Sequence, residues 1–228
     1  MNSSSSKSWS AEIAAVFRKE AVSEMRQKSG ILTVALFVVV AVVAVAFASV
    51  GQKLTPGIAS GLIWVTLLFS SVVAIPRIFL LEEEQGTGDL LRLSARPHSV
   101  FWGKTLFALA QLILGGAIVS VLFFGLTGVS VEQPGTYVLG LLGGCGALAG
   151  ATSLCGALVA QASNRAVLAG TISLPLLLPL IALGVTATRV SIDPEGARGG
   201  VEAILGLWGY AIATWALGPH LFAAVWRR

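Results

Sequence analysis

A chain of 228 residues that is 55% hydrophobic and only 11% charged, with a mean hydropathy of +0.85, cannot cover its surface with polar groups in water. Soluble domains carry roughly 25% charged residues, and a bilayer removes the need for them. The net charge of +4 is spread between apolar runs instead of being gathered on one face, which speaks against a nucleic-acid partner.

The first 30 residues hold Ser3 to Ser6 and a polar segment with no apolar core, so they are not a secretory signal. From Trp9 to Lys28 the spacing predicts a helix with Trp9, Ile13, Val16 and Phe17 on one face and Arg18, Lys19 and Arg26 away from it. Glu20 interrupts the apolar face, and Glu24 and Lys28 stand at a favourable i,i+4 spacing. This segment is read as a helix lying in the cytoplasmic interface; a solvated helical tail is the alternative.

Six apolar runs follow, at about 31–50, 58–79, 105–127, 136–160, 166–187 and 203–226. Each is long enough to cross roughly 30 Å of hydrocarbon. The fourth is rich in small residues, with Gly146 and Gly150 forming a small-xxx-small pair that lets helix backbones approach closely. Ordinary bundle packing and a substrate path are both open readings of that stripe. Pro175 and Pro179 interrupt the fifth run and predict a kink. Cys145 and Cys155 lie ten residues apart in the fourth, about 15 Å along a helix, too far for a disulfide, and read as packing residues.

Lys and Arg set the orientation. With the N-terminus inside, Lys7, Arg18, Lys19, Arg26, Lys28, Arg77, Arg92, Arg96, Lys104, Arg165, Arg227 and Arg228 are cytoplasmic, against Lys53, Arg189 and Arg198 outside. Both termini are therefore expected in the cytoplasm. The outer loops, about 51–57, 128–135 and 188–202, are too short to fold as domains. The longest connection is the cytoplasmic stretch 76–104. It holds Glu82, Glu83, Glu84 and Asp89, and a short helix from Asp89 to Ser94 that ends before Pro97. It is shaped as a docking element, with a solvated connecting loop as the alternative.

Catalytic motifs are missing. Gly103-Lys104 does not complete a phosphate-binding loop, because His98 stands where its first glycine belongs. There is no H-E-x-x-H and no C-x-x-C. His220, near the inner end of the sixth run, could ligate a haem iron or could simply sit beside the headgroups; His98 lies in the cytoplasmic stretch. Trp9, Trp102 and Trp226 fit an interfacial belt. The spans carry almost no charge, Gln111 being the main polar exception. Ion-coupled transporters keep a charge at membrane depth, so energy is expected from a separate ATPase.

With an interfacial helix, six spans and a cytoplasmic stretch after the second, the plan resembles the type-2 ABC exporter permeases. The matching residues are the acidic cluster Glu82–Glu84, Gly86-Thr87, Leu90-Leu91, Pro97 and Gly103-Lys104. Within that group the chain is similar to CcmB, the haem exporter permease of cytochrome c maturation. The segments GLIWVTLLFSSVVAIPRIFLLE and QASNRAVLAGTISLPLLLPLIALG carry that resemblance, which extends over nearly the whole chain. Gly88 and the run Ser94-Ala95-Arg96-Pro97 depart from the family pattern.

The resemblance implies an all-α polytopic protein of the bacterial inner membrane. Residues 1–30 would form the tail and interfacial helix, and 31–228 the six-helix permease domain with its coupling stretch 76–104. It implies no catalysis and no directly bound cofactor, with ATP on a CcmA-like subunit and haem handled by CcmC-, CcmD- and CcmE-like partners. Membrane lipid and a second permease copy are further expected partners, and nucleic acid is not. Coupling to the ATPase would fall on Arg77, Glu82, Glu83, Glu84, Gly86, Asp89, Leu90, Leu91, Leu93, Pro97 and Lys104. Asp89, Leu90, Leu91 and Leu93 would be the helix contacts, and Arg77 and Glu82 would fix the stretch at the membrane. An exporter of a drug, lipid or polysaccharide and a non-transporting scaffold are the rival readings.

Overall fold

The computed structural model describes residues 8–51, 53–84, 86, 88–160, 165–195 and 198–226. Among them every regular element is a helix: α1 Trp9–Gln27, α2 Ser29–Ala48, α3 Pro56–Glu84, α4 Gly88–Ser94, α5 Pro97–Thr127, α6 Pro134–Ala160, α7 Arg165–Ile192 and α8 Gly200–Trp226. Six of these, α2, α3 and α5 to α8, are long and apolar enough to cross a membrane, as the six runs predict. The chain is a multi-pass membrane protein.

Helix α1 begins under Ser8, whose hydroxyl accepts from the Ala11 N–H at 3.3 Å. It ends at Lys28, which turns into the left-handed region at φ 54°. Glu24 does not serve the expected pair with Lys28. Its Oε1 accepts from the Ile31 N–H at 2.7 Å and so tethers the first turn of α2, whose amides lack partners within the helix.

Helix α6 is the most enclosed span, packed against α3, α5, α7 and α8, whereas α2 rests only against one side of the bundle. The outward faces of α2 carry Leu32, Leu36, Val40 and Phe47, which suit lipid contact. The glycines of α6 permit the close helix approach expected of them, Gly146 lying against Ala211 and Gly150 against Thr214 of α8, and others of them admit large side chains. The fully buried indole of Trp64 abuts Gly144 at its Cη2 rim and Gly184 at its Cδ2–Cε2 bond, so that a Cβ added at either glycine would overlap the ring. Trp64 Nε1 donates to Thr188 Oγ1 at 2.8 Å, which satisfies the one polar atom that burial would otherwise strand. Trp208 sits against Gly143 in the same way. Trp215, on α8, donates through Nε1 to the Gly146 carbonyl at 2.8 Å. Cys145 and Cys155 are free and buried, as packing residues should be.

Helix α7 continues through Pro175 and Pro179, and the Leu176 carbonyl between them accepts from Tyr210 Oη at 2.6 Å. The short loop before α6 is tied down by the Glu132 and Gln133 amides, both donating to the Ser191 carbonyl at 3.0 Å.

Candidate functional site

The stretch 76–104 is mostly helix among its described residues. Helix α3 runs on to Glu84, Gly86 turns at φ 66°, α4 follows, and α5 starts at Pro97. The expected boundaries at 79 and 105 mark where apolar side chains stop, but nothing between Ile78 and Glu84 breaks a helix. Proline suits the first helical position, where its missing N–H costs nothing, so α5 begins there and carries Lys104 inside the fold.

Lys104 is 1% exposed. Its Nζ donates to the Ile78 carbonyl at 2.6 Å, lies 3.0 Å from Glu82 Oε2 and 3.2 Å from Glu20 Oε1, and stands 5.1 Å above the Phe79 ring centre. Lys19 completes the group by donating to Glu82 and, at 3.1 Å, to Glu20. Two ammoniums and two carboxylates thus neutralise each other where α1, α3 and α5 meet. A buried charge is tolerable only when paired and hydrogen-bonded in this way.

Apolar contacts hold α1 to the same place. A Cβ on Gly103 would come within 2.6 Å of Val16 Cβ and 3.0 Å of the Ile13 carbonyl, so only glycine lets α1 lie this close. Trp9 meets Trp102 edge-on at 6.2 Å and Phe17 meets Phe107 at 6.0 Å. Glu12 anchors the first turn of α5, accepting from Ser99 Oγ at 2.9 Å and lying 3.7 Å from Arg96 Nε. Gly103→Leu is expected to cost about 1–3 kcal/mol through overpacking and to lift α1 off α5. Faster tryptic cleavage at Arg18 and Lys19 would register it, and an unchanged cleavage rate would contradict the packing described.

Burial alone would push the Lys19 pKa down, but the neighbouring Glu20 and Glu82 carboxylates outweigh it and hold it above the ordinary lysine value. The sign follows from linkage. A raised folded pKa contributes stability that is fully present below the unfolded value near 10.4 and is lost as pH rises through the folded value. The Lys19 contribution to α1 docking is therefore expected to be constant from pH 6 to about 9 and to fall only in strong alkali. Proteolysis of α1 as a function of pH measures this.

Of the predicted site residues, the structure brings Glu82 and Lys104 together. Leu91 is half-buried and packs against the core, while Leu90 and Leu93 are 68% and 87% exposed on α4. Arg92, from the same helix, lies over the Trp226 ring at 5.5 Å. The side chains of Arg77, Glu83, Glu84 and Asp89 lie outside the described residues. Sequence reasoning missed Glu20, Lys19 and Glu12. The available signal was Glu20 itself, an acid on an apolar face. Among the described residues no three His, Cys, Asp or Glu side chains gather as a metal-binding group.

A family model described as CcmB protein matches residues 11–228. The chain belongs to the CcmB protein family. Its match therefore takes in α1, α4 and the whole buried charge group, not the spans alone. Relatives named "Heme exporter protein B" include that of Bradyrhizobium diazoefficiens, 28% identical over 218 residues, covering 93% of this chain and 96% of the relative. That of Paracoccus denitrificans is 31% identical over 178 residues, 75% of this chain and 77% of the relative. The protein of Rhodobacter capsulatus is 32% identical over 176 residues with the same coverage. As a CcmB family member the chain is read as a membrane subunit, and its buried charges are structural, being fully paired.

Proposed function

We propose that this chain is the permease subunit of an ABC-type haem exporter serving cytochrome c maturation, driven by ATP hydrolysed on a separate, CcmA-like subunit. Membership of the CcmB family and the names of the relatives support the haem assignment. The observation that carries the coupling role is α4. Two exposed leucines, Leu90 and Leu93, project from a short helix whose two flanks are bolted together by Glu82 and Lys104. A force applied to α4 then reaches α1, α3 and α5 at once. Arg77, Glu83, Glu84, Gly86, Asp89 and Pro97 shape the same segment, and Leu91 seats it on the bundle. The chain binds no cofactor itself in this reading. CcmC- and CcmD-like membrane proteins and a CcmE-like haem chaperone complete the assembly, with a second permease copy. Residues 31–228 serve as the permease domain and 1–30 as its interfacial collar.

Leu91 faces inward, so Leu93→Asp is the sharper test of docking. Loss of one buried leucine at the centre of an interface costs about 2 kcal/mol, roughly thirtyfold in affinity. The variant is expected to remain folded in detergent yet to lose the copurifying ATPase and the stimulation of its activity. An intact complex with an unchanged ATPase rate would sink the docking assignment. Deletion of the gene is expected to abolish c-type cytochromes; normal cytochrome content would instead favour another cargo.

The Lys and Arg bias supports an inner-membrane orientation with both termini in the cytoplasm. Reporter fusions after Arg228 and within 128–133 are expected to report opposite sides. The same side for both would overturn that topology.

A further inference from the structure

The chain has two histidines, and the fold brings them together. His98 is the second residue of α5, and His220 follows Pro219 in the last two turns of α8. Their ring centres are 5.2 Å apart with planes at 79°. His98 is half-buried and His220 is exposed.

The backbones beneath the two rings are held firmly. Phe101, one turn after His98, rests on Gly218, two residues before His220, so closely that a Cβ there would overlap its ring. Phe222 packs on Phe101 at 5.8 Å from the next turn of α8. Ser99, beside His98, is buried and donates to Glu12. The nearby cations are directed elsewhere, Arg92 over Trp226 and Arg96 toward Glu12.

Imidazole nitrogens bind first-row divalent ions at about 2.0–2.1 Å, and a tetrahedral N–metal–N angle then sets two ring centres about 5 Å apart. Two imidazoles trans across a haem iron would stand roughly 6.4 Å apart, with the iron between them. The observed 5.2 Å suits the bent arrangement and is too short for the trans one. Imidazole ligands favour zinc, copper, nickel and cobalt over calcium or magnesium.

We propose that His98 and His220 form a two-imidazole site for a first-row divalent cation, completed by water, that clamps the start of α5 to the end of α8. Among the described residues no third His, Cys, Asp or Glu joins them, so the site is weaker and more exchangeable than a structural zinc site. The clamp lies at the end of the bundle that carries α4, where it would stiffen the helix receiving the coupling contact.

Titration of the purified full-length protein with Co2+, using an affinity tag free of histidine, tests the proposal. The expected result is one ion bound per chain, counted by equilibrium dialysis and displaced by Zn2+. His220→Gln, at an exposed position, and His98→Gln should each weaken binding tenfold or more while leaving the elution profile unchanged. Absence of bound ion overturns the proposal and makes the pair a packing contact only. Binding that persists unchanged in the doubly substituted protein does the same. Should His98→Gln fail to fold, His220→Gln alone decides the matter.

Discussion

Lys104→Met is expected to destabilise the protein by about 3–5 kcal/mol, the cost of stranding a buried carboxylate without its partner. Lys104 is enclosed, and its Nζ serves a carbonyl and two carboxylates at once. Its removal leaves Glu20 and Glu82 close together, both bonded to Lys19. Lys19 is nearly half exposed, so water screens much of what it could contribute. Helix α1 should loosen from α5, because the ion group is one of its attachments there, beside the apolar contacts and Glu12. The loss appears as a lower unfolding midpoint in detergent and faster cleavage within α1. Adding Glu20→Gln restores neutrality, since Glu82 and Lys19 then balance, and the double variant should recover much of the deficit. A single variant costing under about 1 kcal/mol would mean that Lys104 is not the buried partner described.

Gly144→Val should be at least as damaging, at or beyond the upper end of the 1–3 kcal/mol typical of overpacking. Even the first added carbon would overlap the Trp64 ring. The indole cannot retreat, because Gly184 packs against its Cδ2–Cε2 bond and Thr188 holds its nitrogen. Trp64→Ala alone empties a site filled by a fully buried indole and should cost about 3–5 kcal/mol. The two changes combined should cost less than their sum, the mark of residues in direct contact. Simple additivity in thermal unfolding would show that α3 and α6 do not meet at this point. Gly115 or Gly125, where an added Cβ meets nothing, supplies the control: alanine there should be nearly silent.

These two sites show what a sequence exposes and what it hides. The six spans are legible because apolar run length is a local property set by bilayer thickness. The ends that flank α4 are not, because hydropathy falls at the first charge while the backbone goes on as helix, through Glu84 in α3 and back from Pro97 in α5. Glu20 and Lys104 each look like a defect taken singly, an acid on an apolar face and a base at the edge of a span. They are one pair, and two defects of opposite sign were the available clue. The α6 glycines advertise close packing but do not say whether a backbone or an indole fills the space. That depends on which faces meet, as does the meeting of His98 with His220. The exposed leucines of α4 were foreseen as a group, whereas the inward turn of Leu91 needed the tertiary structure.

The balance of charge in the Lys104 junction has an electrical consequence. Moving one elementary charge through the membrane field is worth about 2.3 kcal/mol per 100 mV. Glu20, Glu82, Lys19 and Lys104 sum to zero and are bonded to one another across three helices. If they travel together when α4 is pushed, the movement carries no gating charge. In the coupling role proposed above, these four charges would add nothing to the voltage dependence of the stroke, so that the junction would pass on a mechanical input at the same strength in an energised cell as in a depolarised vesicle.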